Sequence, residues 1–176
     1  MKILIAYAGK NGATESCVAR LCEKLAGKDV TAVHLGRESV DPSEYDMVIL
    51  GSSIYFGRLR PEVRAFLKQY GDTLLQKRVA LFLCCGMKEE YPYYMEKLFP
   101  KALREHAFRT VFFGGTLRLE GLPFFDRVIV KSMRERLFEE SMDSGEYVVD
   151  LPGVLPENID ALATYVREEI ARFYSR

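Results

Sequence analysis

The sequence predicts a doubly wound α/β fold, in which a parallel β-sheet lies between two layers of helices. Short, nearly continuous apolar runs alternate with amphipathic stretches from one end of the chain to the other. Such runs are typical of parallel strands that are buried on both faces by intervening helices. The length of 176 residues suits one domain with a sizeable core. We therefore expect a single domain over residues 1–176.

Five apolar runs have the composition of strands. The fourth run is the most apolar and is expected at the centre of the sheet, whereas the second alternates less cleanly and is expected to be more exposed. The third run ends in Gly51-Ser52-Ser53, so the residues that follow are expected to form a loop. The predicted strands are 2–8, 29–35, 47–53, 78–85 and 109–115.

Apolar residues at helical spacing predict the helices between these strands. Pro61 and Pro156 each stand where the first residue of a helix belongs, a position that suits proline. Pro100 lies inside another helical stretch and is expected to break or kink it. The predicted helices cover 13–26, the residues after Pro61, 91–106 and the residues after Pro156.

The residues between the fifth strand and the last helix, 116–155, are too many for an ordinary connection and predict an insertion. Within it, Val130, Met133 and Leu137 repeat at helical spacing beside several basic residues. One interpretation is an apolar and cationic flap that holds a carboxylate-bearing ligand or touches a membrane surface. The other is a short amphipathic helix that caps the sheet or forms a homodimer contact.

Composition excludes several classes of protein. Lys plus Arg number 25 and Asp plus Glu number 25, a balance that argues against general nucleic-acid binding. The four cysteines have neither CxxC spacing nor histidine partners, so neither a disulfide framework nor a metal site is expected. With no secretory signal or spanning segment apparent, we expect a cytoplasmic protein. The cysteines are Cys17, Cys22, Cys84 and Cys85.

The loop after the first strand has the composition of an anion site. Gly9, Asn11 and Gly12 tolerate positive φ, so the backbone can direct its N–H groups inward at the N-terminus of the following helix. Thr14 is expected to add a hydroxyl group or to cap that helix. Neither GxGxxG nor GK[ST] is present, and an ordinary strand-to-helix turn is the alternative. The candidate residues are Gly9, Lys10, Asn11, Gly12, Ala13 and Thr14.

Two further loops supply candidate walls for a flat ring. Tyr55 and Phe56 follow the third strand as adjacent aromatic residues, which either line a planar ligand or simply cover the sheet edge. After the fourth strand, Cys84 and Cys85 are expected to point to opposite faces and to act as small hydrophobes rather than redox groups. The candidate residues are Ser52, Ser53, Ile54, Tyr55, Phe56, Gly57, Cys85, Gly86 and Met87.

Together these segments resemble the flavodoxin family over nearly the whole chain. More closely, residues 1–14, 45–57, 114–118 and 124–127 resemble the menaquinone-dependent protoporphyrinogen oxidases of bacteria. The resemblance implies a three-layer αβα fold with strand order 2-1-3-4-5. It also implies FMN as the cofactor, with its phosphate in the first loop and its isoalloxazine ring between the next two loops.

The resemblance to the oxidases implies a further activity, the oxidation of protoporphyrinogen with a quinone acceptor in heme biosynthesis. The substrate would then be held from the insertion, at Arg118, Phe124, Phe125 and Arg127. Peripheral contact with the inner face of the membrane, where quinone resides, stays open, as does a homodimer. No metal is expected, and no catalytic residue is assigned.

The chain also departs from the family pattern, because Ala8 and Gly9 stand where hydroxyl residues usually bind the phosphate. Each lost hydrogen bond is worth about 0.5–1.5 kcal/mol, so we expect FMN binding that is weakened rather than abolished. Two other functions remain open. One is a one-electron carrier that serves a redox partner protein, and the other is a scaffold without a cofactor. His34 and His106 are expected to be structural.

Overall fold

The computed structural model describes residues 1–10, 12–85, 90–115 and 153–175. The strands are β1 (Lys2–Ala8), β2 (Asp29–His34), β3 (Met47–Tyr55), β4 (Arg58–Leu59), β5 (Arg78–Cys84) and β6 (Arg109–Phe112). The helices are α1 (Ala13–Lys24), α2 (Pro61–Leu74), α3 (Tyr91–Leu98), α4 (Lys101–His106) and α5 (Pro156–Tyr174), with a 3₁₀ turn at Pro42–Glu44.

The sheet has the strand order β2-β1-β3-β5-β6, and these five strands are parallel. The predicted order 2-1-3-4-5 is therefore confirmed, with β5 and β6 as the fourth and fifth parallel strands. A further strand, β4, pairs antiparallel with the end of β3. The chain runs outward from β1 to β2 and then returns to the other side of β1 for β3, so the strand order reverses at the β1–β3 pair.

Apolar side chains fill both faces of the sheet, as the continuous apolar runs predict. On one face, Ile5, Ile49 and Phe82 pack beneath α1 and α5. On the other face, Leu4 and Leu50 belong to a second core with side chains of α2, α3 and α4. Two separate cores on one sheet give the three layers. The edge strand β2 is more exposed than β1, also as predicted.

One local difference separates the structure from the sequence-based expectations. The third strand does not end at Ser53 but continues to Tyr55, so Ile54 and Tyr55 are strand residues rather than loop residues. The extension is stabilised because β4 folds back on it, pairing Ile54 with Leu59 and Tyr55 with Arg58. The break at Pro100 is as predicted, because the third helical stretch is divided into α3 and α4.

Gly51 allows the two central strands to pack around an aromatic ring. It pairs with Phe82 on β5, and a Cβ atom built at Gly51 would lie 1.9 Å from Phe82 Cζ. The Phe82 ring stacks in turn on Phe113, with 4.6 Å between the ring centroids. Phe82 and Phe113 are both fully buried, so neither ring has room to move aside.

We expect Gly51→Ala to destabilise the protein by at least about 1–3 kcal/mol, because the new methyl group overpacks the core against Phe82. The matched control is Gly71→Ala, at a helical glycine of α2 whose added Cβ would have no atom within 4 Å. That change is expected to stabilise the protein by about 0.5–1 kcal/mol through helix propensity. Urea unfolding of both variants measures the two effects, and a destabilisation that is equal for both would contradict the assignment.

Candidate functional site

The carboxyl ends of β1 and β3 lie side by side, with Ala8 paired to Ser52. From there the chain leaves β1 for α1 on one face of the sheet and leaves β3 for α2 on the other face. Loops that diverge in this way open a crevice at the reversal point of the strand order, which is where open α/β sheets bind their ligands. The residues of the first and second predicted loops therefore meet at one place.

The first loop has the backbone geometry expected of an anion site. Gly12 adopts φ 77° and ψ −18° directly before α1, and no side-chain hydrogen bond caps the helix there. The first N–H groups of a helix have no partners within the helix and carry partial positive charge. A Cβ atom built at Gly12 would meet none of the described residues within 4 Å, so these residues leave the space beside the N–H groups open. Asn11 lies outside the described residues.

Thr14 does not cap α1, which corrects one of the two roles expected for it. Its side chain is buried and is hydrogen-bonded to the Cys84 thiol on β5. A Cβ atom at Gly9 would lie 2.7 Å from Thr14 Cβ and 2.7 Å from Thr14 Oγ1. Gly9 is therefore needed because Thr14 fills the space its side chain would occupy, and Gly9 does not adopt positive φ.

The Cys84 thiol also contacts a second thiol, that of Cys17 on α1. Cys17 and Cys84 are both buried in the core beneath α1 and α5. The hydrogen bond between their thiols lowers the pKa of Cys17 and, together with burial, raises the pKa of Cys84. All four cysteines are free. The spacing of cysteines along the sequence gives no sign of this pair, because the two residues come from different elements.

The second predicted loop is a tight β-hairpin, in which β3 and β4 are joined by a two-residue turn. Its two central residues, Phe56 and Gly57, have φ of 48° and 67°, the positive values that a type I′ turn requires. Asn, Asp or Gly usually occupies the first of these positions, and a left-handed conformation costs other residues about 1–2 kcal/mol. Phe56 nevertheless stands there with 41% of its surface exposed. Its ring packs on Tyr55, with 4.3 Å between the centroids.

Ser52 and Ser53 point to opposite faces and differ in hydrogen bonding. The Ser52 hydroxyl accepts a hydrogen bond from the Arg60 backbone N–H at 3.0 Å and donates to the Ser53 carbonyl oxygen at 2.8 Å. The Ser53 hydroxyl is buried with no hydrogen-bond partner among the described residues. A buried polar atom without a partner is costly, and this one lies at the end of β3 beside Cys84.

Lys10 connects the first loop to the hairpin. Its ammonium donates a hydrogen bond to the Tyr55 hydroxyl at 2.6 Å and lies 4.1 Å from the centroid of the Tyr55 ring. The guanidinium of Arg60 lies 5.6 Å from the same centroid. Lys10 and Arg60 thus place positive charge beside the aromatic wall, although the Arg60 guanidinium also pairs with the Glu62 carboxylate at 3.5 Å. The charge of Lys10 in particular favours an anionic ligand.

The third predicted loop is described only at its start. The backbone of Cys85 lies close to Gly115, where a Cβ atom would be 2.9 Å from the Cys85 carbonyl carbon. Cys84 lies in the core beneath α1, as expected for one of two neighbours that point apart, and Cys85 is also buried. The other candidates that lie outside the described residues are Gly86, Met87, Arg118, Phe124, Phe125 and Arg127.

The two ends of the insertion meet at the carboxyl end of β6. Gly114 and Val154 form an antiparallel bridge, and the Leu155 N–H donates to the Phe113 carbonyl oxygen at 2.8 Å. Gly114 adopts φ 73°, and a Cβ atom there would lie 2.1 Å from the Gly153 carbonyl oxygen. The chain therefore leaves and re-enters the described fold at one point, near Cys85 and the candidate site.

Several other groups have structural surroundings. His34 Nδ1 accepts a hydrogen bond from the Gly36 N–H at 3.1 Å, and its ring packs edge-on against Tyr7. His106 Nε2 lies 2.6 Å from the Lys77 carbonyl oxygen. The described part of the chain holds no group of three or more His, Cys, Asp and Glu side chains that could bind a metal ion. No described helix is both long enough and apolar enough to span a membrane.

The two serines of the site make a matched pair for mutation. We expect Ser52→Ala to destabilise the protein by about 1–2 kcal/mol, since it leaves the Arg60 N–H without its acceptor. The same change at Ser53 removes a hydroxyl that has no described partner, so Ser53→Ala is expected to be neutral or slightly stabilising. Urea unfolding of the two variants decides the point. Equal losses of stability would show that the Ser53 hydroxyl has a partner in the folded protein.

Comparisons with known proteins concern the family and the fold. A family model described as "Flavodoxin domain" matches residues 4–143. The chain is similar to a Fusobacterium nucleatum flavodoxin bound to flavin mononucleotide, with 15% identity over 96% of this chain and 98% of that chain and a TM-score of 0.54. A flavodoxin from the domain Archaea has 16% identity over 80% and 98% of the two chains, with a TM-score of 0.49.

No curated protein sequence matches the chain. At 15% identity the likeness to the Fusobacterium flavodoxin concerns the fold alone. The family model confirms the resemblance to the flavodoxin family, and the closer resemblance to protoporphyrinogen oxidases stays a prediction. Since the family model covers most of the sequence, the chain belongs to the flavodoxin-domain family.

Proposed function

We propose that this chain is an FMN-binding redox protein whose cofactor lies at the carboxyl ends of β1, β3 and β5. The observation that carries the proposal is that a loop suited to bind an anion and an aromatic hairpin lie side by side. They meet where the strand order of the sheet reverses. The loop provides an uncapped helix N-terminus at Gly12, and the hairpin provides Tyr55 and Phe56. A phosphate joined to a flat ring is the kind of ligand that needs both features.

The described residues fit such a group. Backbone N–H groups of 12–14 would hold the phosphate, since the space beside Gly12 is open. Tyr55 and Phe56 would form one wall for the isoalloxazine, and the segment that begins at Cys85 would form the other. The Ser53 hydroxyl, buried without a partner among the described residues, is a candidate hydrogen-bond donor to the ligand. Thr14, whose buried hydroxyl lies beside the Cys84 thiol, is the second side-chain candidate for the phosphate.

FMN supplies the redox chemistry when it is bound, because it exchanges one or two electrons. The protein then has to bind the cofactor, orient it and set the local charge. Lys10 and Arg60, both close to the Tyr55 ring, would favour the more negatively charged reduced form by Coulomb attraction. No protein base is required, which agrees with the structural surroundings of His34 and His106.

Two finer functions are proposed within this class. Protoporphyrinogen oxidation with a quinone acceptor is supported by the sequence resemblance at 114–118 and 124–127. Electron transfer to a partner protein is supported by the exposed aromatic residues beside the hairpin. Phe56 is 41% exposed and Tyr93 is 58% exposed, and Tyr94 of the same helix lies 3.8 Å from the Cβ position of Gly57.

The first experiment is a titration of the purified protein with FMN, followed by flavin fluorescence and visible absorbance. Gly12→Asp is expected to weaken binding at least about tenfold, because it places a carboxylate beside the phosphate. The matched control is Gly27→Asp in the turn before β2. Gly27 also has positive φ, 81°, and open space around its Cβ position, so both variants carry the same backbone strain.

Saturable FMN binding that Gly12→Asp weakens and Gly27→Asp preserves would support the site. Equal loss in both variants would attribute the effect to strain rather than to the phosphate. No binding at tens of micromolar FMN would contradict the proposed function, and would leave the cofactor-free scaffold as the interpretation of the fold.

The FMN-loaded protein separates the two finer functions. An oxidase is expected to convert protoporphyrinogen to protoporphyrin with menaquinone, which the porphyrin fluorescence reports. A carrier is expected to pass single electrons to an acceptor protein and to leave protoporphyrinogen unchanged above the rate of its spontaneous oxidation. Heat-denatured protein with the same amount of free FMN is the control, since free flavin also mediates slow oxidation.

A further inference from the structure

Two thiols and two hydroxyls lie together beneath the first turns of α1, at the end of a core that is otherwise apolar. Cys84 is the last residue of β5 and pairs with Ser53 of β3, so both side chains point to the face that α1 covers. Thr14 and Cys17 are three residues apart on α1 and share one face of that helix. Three elements of the fold thus bring four small polar side chains to one place.

Within this cluster the two thiols are in direct contact. Cys17 and Cys84 are hydrogen-bonded to each other, and they belong to the same core, with 1% and 4% of their surfaces exposed. Both are free cysteines. Because the sulfur atoms already touch, they have only to approach each other further to reach the bonded S–S distance of about 2.05 Å.

The surroundings make the two thiols chemically different. The hydrogen bond from the Cys84 thiol lowers the pKa of Cys17. The same hydrogen bond and complete burial raise the pKa of Cys84. The thiolate is the reactive form of cysteine, so Cys17 is the better nucleophile of the pair, and Cys84 keeps its proton beside it.

The position of the cluster gives a small oxidant a route to the pair. Helix α1 begins at Gly12 with no side-chain hydrogen bond to cap it, and the end of a helix opens more easily than its middle. Thr14 lies in this first turn and is buried beside Cys84. Opening of a single turn therefore uncovers the thiols without unfolding the sheet.

We propose that Cys17 and Cys84 form an oxidation site, a dithiol that a peroxide converts into a disulfide between α1 and β5. The Cys17 thiolate first attacks one oxygen of hydrogen peroxide. The O–O bond breaks, Cys17 becomes a sulfenic acid, and the departing hydroxide takes up the Cys17 proton to give water.

The second step closes the disulfide. The Cys84 sulfur attacks the Cys17 sulfur, the S–O bond breaks, and the oxygen leaves with the Cys84 proton as a second water molecule. The two thiols lose two electrons together, and these reduce one peroxide to two waters. The new bond fixes the start of α1 to the end of β5, directly beneath the loop that follows β1. This inference goes beyond the proposed function and requires no flavin.

The first test maps the cysteine pairs of the purified chain after treatment with hydrogen peroxide. Catalase ends the reaction, and iodoacetamide in urea then blocks the remaining thiols. Trypsin separates Cys17, in residues 11–20, from Cys22, in residues 21–24. Tandem mass spectrometry distinguishes Cys84 from Cys85 within residues 79–88. We expect the Cys17–Cys84 link to dominate in the folded protein and a mixture of pairs to form when peroxide is added in urea.

The second test measures the urea midpoint of unfolding before and after oxidation. The midpoint should rise in the oxidised protein, because a covalent link between distant residues lowers the entropy of the unfolded chain. Dithiothreitol should reverse the rise, whereas oxidised methionine would persist, since its reduction needs a dedicated enzyme. Cys17→Ser should lose the reversible rise. Cys22→Ser, a half-buried position on the same helix, is the matched control and should keep it.

The outcomes decide the inference separately from FMN binding. It is overturned if peroxide forms no Cys17–Cys84 link in the folded protein, if the folded protein gives the same mixture of pairs as the protein in urea, or if Cys17→Ser keeps the reversible rise. If Cys17→Ser does not fold, the mapping of the unmodified chain decides alone. A protein that binds no FMN but forms this link would contradict the proposed function and leave the oxidation site standing.

Discussion

The position of the site depends on the burial of β1 between two neighbours. Residues Ile3–Ala8 are at most 6% exposed, and β1 is paired on one side with β2 and on the other with β3. Its backbone groups are therefore committed to the sheet and its side chains to the two cores. Polar chemistry can begin only at Gly9, where the chain leaves β1 while its neighbour β3 is also ending.

Much of this arrangement can be predicted from the sequence, because burial on both faces leaves a clear signal. The parallel strands appear as apolar runs, and Pro61, Pro100 and Pro156 mark helix boundaries through a local effect on the backbone. The conformation of Gly12 is predictable for the same reason, since a strand-to-helix turn beside a glycine is also a local feature.

The predictions that failed depend on contacts between distant residues. Gly51-Ser52-Ser53 has the composition of a strand end, yet β3 continues to Tyr55 because β4 folds back and pairs with Ile54 and Tyr55. Thr14 is a residue type that often caps a helix, yet its side chain is buried inside α1 next to Cys84 of β5. Single-residue preferences carry no information about such partners, so the fold is more predictable than the chemistry of its site.

The bridge between Gly114 and Val154 also bears on how the family could diversify. The residues that flank 116–152 are joined by backbone hydrogen bonds, so the two ends of the intervening chain are fixed next to each other at the edge of the sheet. The entropy of closing a loop rises only slowly with its length, and a segment anchored in this way can be exchanged for a longer or shorter one without altering strand register. Different insertions can thus replace one another at this junction, in evolution or by protein engineering, while the sheet and the candidate site stay the same.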